Sequence, residues 1–200
     1  MWKAGEAVDR EAYLAKQDAA RRALSAAGPA VRPRGSESGV VSTFDDGSTR
    51  AEFGGWSTST DEIAGGKSTA TITPVAGGAE GSTGALKVTG TISPAFAYAW
   101  AGALFSPGPA PMAPADLSAK KEIRFWARGD GKTYRLMIFA ASKGRTPLIE
   151  TFVAGQEWAE HVFRLANFSG IDGHDLMAVI FAGGQPVAGF EFSIDQVSFR

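Results

Sequence analysis

His161 and His174 are the only two histidines in a chain of 200 residues that contains no cysteine. Hydrolysis at a metal centre needs several His and carboxylate ligands around one ion that activates water. His161 falls in a strand-like run and His174 in a Gly- and Asp-rich loop, without the paired spacing that puts two ligands on one metal. Both read as ordinary strand or surface histidines. The missing cysteines exclude disulfides, thiolate zinc sites and cysteine nucleophiles. Catalysis by this chain is not expected; binding is.

The side chains that could bind are aromatic and cationic. Ile123, Phe125 and Ala127 alternate with Arg124, Trp126 and Arg128. Tyr98 and Trp100 share one face of their own run, and Trp56 and Trp158 stand near turns. Aromatic faces cover the apolar side of a sugar ring. A sheet that brought Trp126 and Trp100 together with Arg124 or Arg135 would form a groove for a glycan. The competing reading places these rings in the core or under a loop, the commoner fate of Trp. Strand parity leaves both open.

Two glycine-rich stretches invite other chemistry. Gly65-Gly66-Lys67-Ser68 has the tail of a phosphate loop, but Asp61 stands where the earlier glycine belongs and a β-rich run follows. It reads as a loop with tight turns. Arg128-Gly129-Asp130-Gly131 reads as a hairpin turned at Asp-Gly. A formal charge of −1 gives no electrostatic footprint for nucleic acid.

The elements that must position these groups are mostly strands. Short runs rich in Val, Ile, Thr and aromatics lie near 40–45, 69–75, 85–92, 97–105, 122–128, 133–140, 147–153, 159–165, 176–182 and 189–199. Phe190, Phe192 and Ile194 share a face. Period two with one polar side implies antiparallel, half-buried sheets, and so an all-β sandwich or jelly roll. The stretch 106–119 is proline-rich and reads as a surface connection with a short turn at 115–118. Residues 9–27 read as a helix with Asp9 as N-cap, a Gly28-Pro29 stop and a thin stripe of Tyr13, Ala20 and Leu24. Such a helix depends on something to lie on. Residues 28–39 read as a linker and 40–200 as the sandwich. No run reaches the roughly 18 apolar residues of a membrane span. No secretory signal is read at Met1-Trp2-Lys3, and the sequence names no compartment, an extracytoplasmic parent protein being compatible with it.

Four ordered stretches carry a resemblance. They are Phe44-Asp45-Asp46 followed by Trp56, residues 61–68, Arg128 through Tyr134, and Gly189 through Val197. Over residues 40–200 the chain resembles the complex I intermediate-associated protein family, with Phe168 where that family has a phenylalanine. The resemblance implies a galactose-binding-like β-sandwich, a fold whose first and last strands are near each other and which often holds a structural calcium there. Asp45 and Asp195 are then the candidate calcium ligands, with turn carbonyls completing the oxygen set; the alternative is that Asp-Asp-Gly marks a turn and Asp195 caps a bend. Residues 2–10 resemble the end of a bacterial amidohydrolase, which implies that residues 1–27 are the trailing strand and helix of an upstream catalytic domain. On that expectation the chain is a non-catalytic binding or docking module, with a glycan as candidate ligand and the parent catalytic domain as contact. The alternative is a protein-interaction domain like the assembly factors of respiratory complex I.

Overall fold

The alternating runs become strands of two antiparallel sheets in a computed structural model that describes residues 29–144, 146–184 and 189–200. The helix expected over 9–27 and the amidohydrolase-like stretch lie outside the described residues. Eleven strands appear: β1 Val40–Ser42, β2 Gly55–Thr60, β3 Thr69–Ala76, β4 Gly84–Thr91, β5 Trp100–Ser106, β6 Glu122–Gly129, β7 Thr133–Ala140, β8 Leu148–Val153, β9 Ala159–Arg164, β10 Leu176–Gly184 and β11 Gly189–Phe199. One sheet has the order β3-β4-β11-β6-β9, with β1 also paired to β11; the other is β2-β5-β10-β7-β8. This is the expected all-β sandwich.

Strands such as β6 bury one parity, whereas β10 is buried along its whole length. Phe125, Leu136, Phe152, Phe181, Phe192 and Ile194 meet between the sheets, with Trp56 packed against them. The rings pack edge-on: Phe125 and Phe181 lie 4.9 Å apart at 85°. Such pairs add about 0.5–1.5 kcal/mol each beyond the area they bury. His161 points into this layer from β9, stacked 5.3 Å from Phe125, and its Nε2 is buried without a hydrogen-bond partner.

Three expectations shift. Residues 55–60 form a strand that the sequence does not announce, because Ser and Thr fill it and Trp56 is its single large apolar side chain. The stretch at 128–131 is not a hairpin: β6 and β7 belong to different sheets, so the chain turns a corner there. Asp130 pins that corner by accepting from Lys132, from the Tyr134 hydroxyl at 2.7 Å and from the Glu191 N–H. The 106–119 stretch makes two isolated bridges, both at Ala115, to Val31 and to Leu176; only its prolines lack the donor. Residues 29–39 lie against the sandwich, with Ser36 buried and Gly39 accepting from the Phe199 N–H.

Candidate functional site

Outward-facing side chains decide what the molecule can bind, and the two sheets present opposite chemistry. On the six-stranded sheet, β6 turns Arg124, Trp126 and Arg128 outward while Ile123, Phe125 and Ala127 face the core. Arg124 contacts Glu122 at 2.6 Å and Glu160 at 3.5 Å. The hydrogen bond and charge of Glu122, then Glu160, hold its guanidinium more firmly protonated than usual. Arg128 lies 4.8 Å above the Trp158 ring. Trp126 lines a cleft of about 190 Å³ together with Arg124, Glu160, Gln196, Ser198 and Arg200. Half-buried Trp beside convergent donors and acceptors is what a polar ligand with an apolar face requires. A second cleft of about 420 Å³ lies further along the same face, between Lys87, Arg128, Gln156 and Glu191.

On the five-stranded sheet, cross-strand register aligns Leu104, Ile180, Met137 and Ile149 in one row. Met137 and Ile180 are only 4% and 3% exposed, although their parity turns them away from the core, and Trp100, Leu104 and Phe139 pack against them. Arg135 is the one charged residue from β5, β7 or β10 on this face. It crosses β10 above Gly184, where a Cβ would fall 2.4 Å from the guanidinium carbon, and donates to the Ala99 carbonyl. Trp100 donates through Nε1 to Ser59 and sits 6.4 Å from Phe96. Tyr98, before β5, is 79% exposed.

The five nominated side chains therefore fall into two groups. Trp126 and Arg124 belong to the six-stranded sheet; Trp100, Arg135 and Tyr98 belong to one end of the other. The groove expected from Trp126 and Trp100 together does not form, because parity turns each away from the shared core. Trp158, just before β9, joins the first group through Arg128.

Asp45 and Asp195 do come together. Asp45 Oδ1 accepts from the Ser82 hydroxyl at 2.8 Å and the Thr83 N–H at 2.6 Å, and those bonds, Ser82 first, hold its carboxyl well below the usual range. Asp195 is fully buried under the loop at 77–83, with Oδ2 accepting from the Ala79 N–H and Oδ1 from Gln196. Burial raises its pKa, hydrogen bonds from the loop oppose the rise, and the like charge of Asp45 adds to it. Gln196 adopts φ 47° at a bulge where the β11–β6 register shifts. Among the described residues no third His, Cys, Asp or Glu joins a cluster able to hold a metal ion; further oxygens would have to come from loop carbonyls and hydroxyls.

The remaining candidates are structural. In the 61–68 loop the buried Asp61 carboxylate accepts from Ser68 N–H and Oγ and fills the space beside Gly66; an anion already occupies the place a phosphate would need. His174 is exposed and bonded to Asp172, away from the buried His161.

No curated protein sequence matches the chain. The family model for complex I intermediate-associated protein 30 (CIA30) matches residues 43–175. Among solved structures, similarity extends to the family 11 carbohydrate-binding module of a cellulosomal cellulase of Clostridium thermocellum, at 16% identity and TM-score 0.53, over 72% of this chain and 86% of that one. The Clostridium thermocellum family 11 module in complex with a β-1,3-1,4-mixed-linked tetrasaccharide gives 15% identity and TM-score 0.50, over 72% and 87%. A family 29 carbohydrate-binding module complexed with mannohexaose gives 10% and 0.51, over 80% and 88%. At these identities the likeness is one of fold. The chain belongs to the CIA30 family.

Proposed function

We propose that this CIA30-family chain is a non-catalytic recognition module that takes an oligosaccharide at the Trp126 cleft. The observation that carries the reading is the cleft itself. A half-buried indole is ringed by Arg124, Glu160, Gln196 and Ser198, supplying both a stacking surface and hydrogen bonds for hydroxyls. Structural neighbours that are carbohydrate-binding modules support the fold side of the reading. Calorimetric titration with a panel of β-glucan and mannan oligosaccharides tests it. Binding that weakens in Trp126→Ala and persists in Trp100→Ala is the expected result; an empty panel, or binding indifferent to Trp126→Ala, sinks it.

In the same reading, Asp45 and Asp195 hold a structural calcium through the loop at 77–84. Two carboxylates share that loop, and the charge acting on Asp195 is the like charge of Asp45, so a cation would relieve repulsion. Residues 2–10 make the module the C-terminal appendage of an amidohydrolase; mass spectrometry of the native parent protein tests that.

A second reading, a protein-interaction or assembly domain, is favoured by family membership and by the apolar outward face of the five-stranded sheet. Co-purification of a defined stoichiometric partner lost on Ile149→Asp would carry it; recovery of no such partner would end it.

A further inference from the structure

The larger of the two clefts on the six-stranded sheet is floored by serine and walled by cations. Register places Arg128 opposite Ser193 and Ser193 opposite Lys87, so one row crosses β6, β11 and β4. Neighbouring strands are about 4.8 Å apart, and the two cations therefore leave the backbone about 10 Å from each other. Long side chains on either side of a short one make a trough of about 420 Å³, which Gln156, Asp130 and Glu191 also line.

The cations of β4 and β6 differ in what already holds them. Arg124 meets Glu122 and Glu160, and Lys87 meets Glu191 at 2.8 Å. Arg128 has no carboxylate partner among the described residues. It lies 4.8 Å above the Trp158 ring and reaches the Gly77 carbonyl only at 3.4 Å. Stacking fixes the plane of a guanidinium and leaves its N–H fork to a ligand. Both carboxylates of the lining are engaged: Asp130 accepts from Lys132 and Tyr134, and Glu191 faces Lys87. An anion entering the trough therefore meets a fixed, unneutralised fork on one wall.

We propose that this second cleft takes the carboxylate of a uronic acid, which makes the ligand of the face an acidic oligosaccharide spanning both clefts. The saccharide part rests on the Trp126 reading; the charge rests on Arg128. Trp126 and Arg128 share one face two residues apart, about 7 Å along β6. A sugar chain stacked at Trp126 and running along the strand brings a substituent over Arg128. A carboxylate engages the guanidinium through two parallel hydrogen bonds, which a hydroxyl does not offer. Ser193 and Gln156 supply neutral groups for the ring hydroxyls.

Calorimetric titration compares two pairs of β-1,4-linked sugars, mannohexaose with hexamannuronate and cellohexaose with hexaglucuronate. Within each pair only the C6 hydroxymethyl is exchanged for a carboxylate. The acid of at least one pair should bind about three- to tenfold tighter than its neutral partner. Arg128→Gln should remove that margin. Lys143→Gln, which takes the same charge from an exposed loop after β7, should keep it. In the unaltered chain the margin should shrink at about 1 M salt, where the screening length is about 3 Å. No margin in either pair, a margin kept by Arg128→Gln, or one untouched by salt overturns the proposal. Equal binding of hexaglutamate also overturns it, making an acidic peptide the occupant. Trp126→Ala separates the two readings, since it should weaken both members of a pair and keep their ratio. Binding indifferent to Trp126→Ala sinks the stacking site and the spanning ligand with it; a ratio indifferent to Arg128→Gln sinks the carboxylate site alone.

Discussion

The outward faces of the two sheets share a fold, a core and a strand period, yet one is charged and the other is nearly as apolar as the interior. The six-stranded sheet alternates Phe and Ile inside with Arg, Trp, Glu and Asp outside. The five-stranded sheet carries Ile180 and Met137 outside almost as it carries Phe181 and Leu136 inside. β10 is buried at all nine positions, a pattern that fits a strand covered on both faces. The outward face of the six-stranded sheet is polar and that of the five-stranded sheet apolar.

Placing a charge on each face should separate them most sharply. Ile180→Asp puts an unpaired carboxylate where 3% of the residue is exposed, and should cost about 3–5 kcal/mol. Val162→Asp, on the exposed edge strand β9 of the other sheet, should stay within about 0.5 kcal/mol. Urea denaturation measures both, and equal costs would erase the distinction.

Next in size is the anchor beneath the polar face. Asp195→Ala strands the buried N–H groups of Ala79 and Gln196, and should lower stability by about 1–3 kcal/mol in thermal melts. If calcium bridges Asp45 and Asp195, the wild-type melting temperature should rise with added calcium and that of Asp195→Ala should not. Trp126→Ala should weaken oligosaccharide affinity about tenfold, roughly 1.4 kcal/mol, with the fold intact by circular dichroism. Trp100→Ala, on the other face, should leave affinity unchanged.

The smallest effect is a pH dependence. Burial between phenylalanine rings lowers the His161 pKa, so the unfolded chain binds the extra proton first. Stability contributed by neutral His161 is therefore present above about pH 6.5 and declines as pH falls from there toward the lower folded value. His174, raised chiefly by its hydrogen bond to Asp172 and the charge of Asp175, acts oppositely: its contribution is full below about 6.5 and fades as pH rises through the raised value. In His161→Phe the acid-side decline in urea midpoint over this window should vanish; an unchanged slope would assign it elsewhere.

The inward parity of Ile123-Phe125-Ala127 and Phe190-Phe192-Ile194 was legible because alternation reports burial directly. Which sheet a strand joins was not, since parity distinguishes inside from outside and says nothing of the partner. That is why a shared groove for Trp100 and Trp126 was one of two readings left open, and why their separation onto different sheets was not legible. β2 escaped because an edge strand of Ser and Thr with one inward Trp has no apolar period. Asp45 and Asp195 were readable as a pair through family resemblance; the loop at 77–83 that joins them carries no periodic signal of its own.

The pairing of β1 with β11 has a mechanical consequence. Val40 sits opposite Ser198 and Gly39 accepts from Phe199, so residues 39 and 200 emerge side by side from one end of an antiparallel pair. A force pulling these two points apart would load the ladder one hydrogen bond at a time, like a zipper, instead of shearing all its bonds together. The domain would peel open at low tension if tethered at both ends. Held at one end only, it would carry no load.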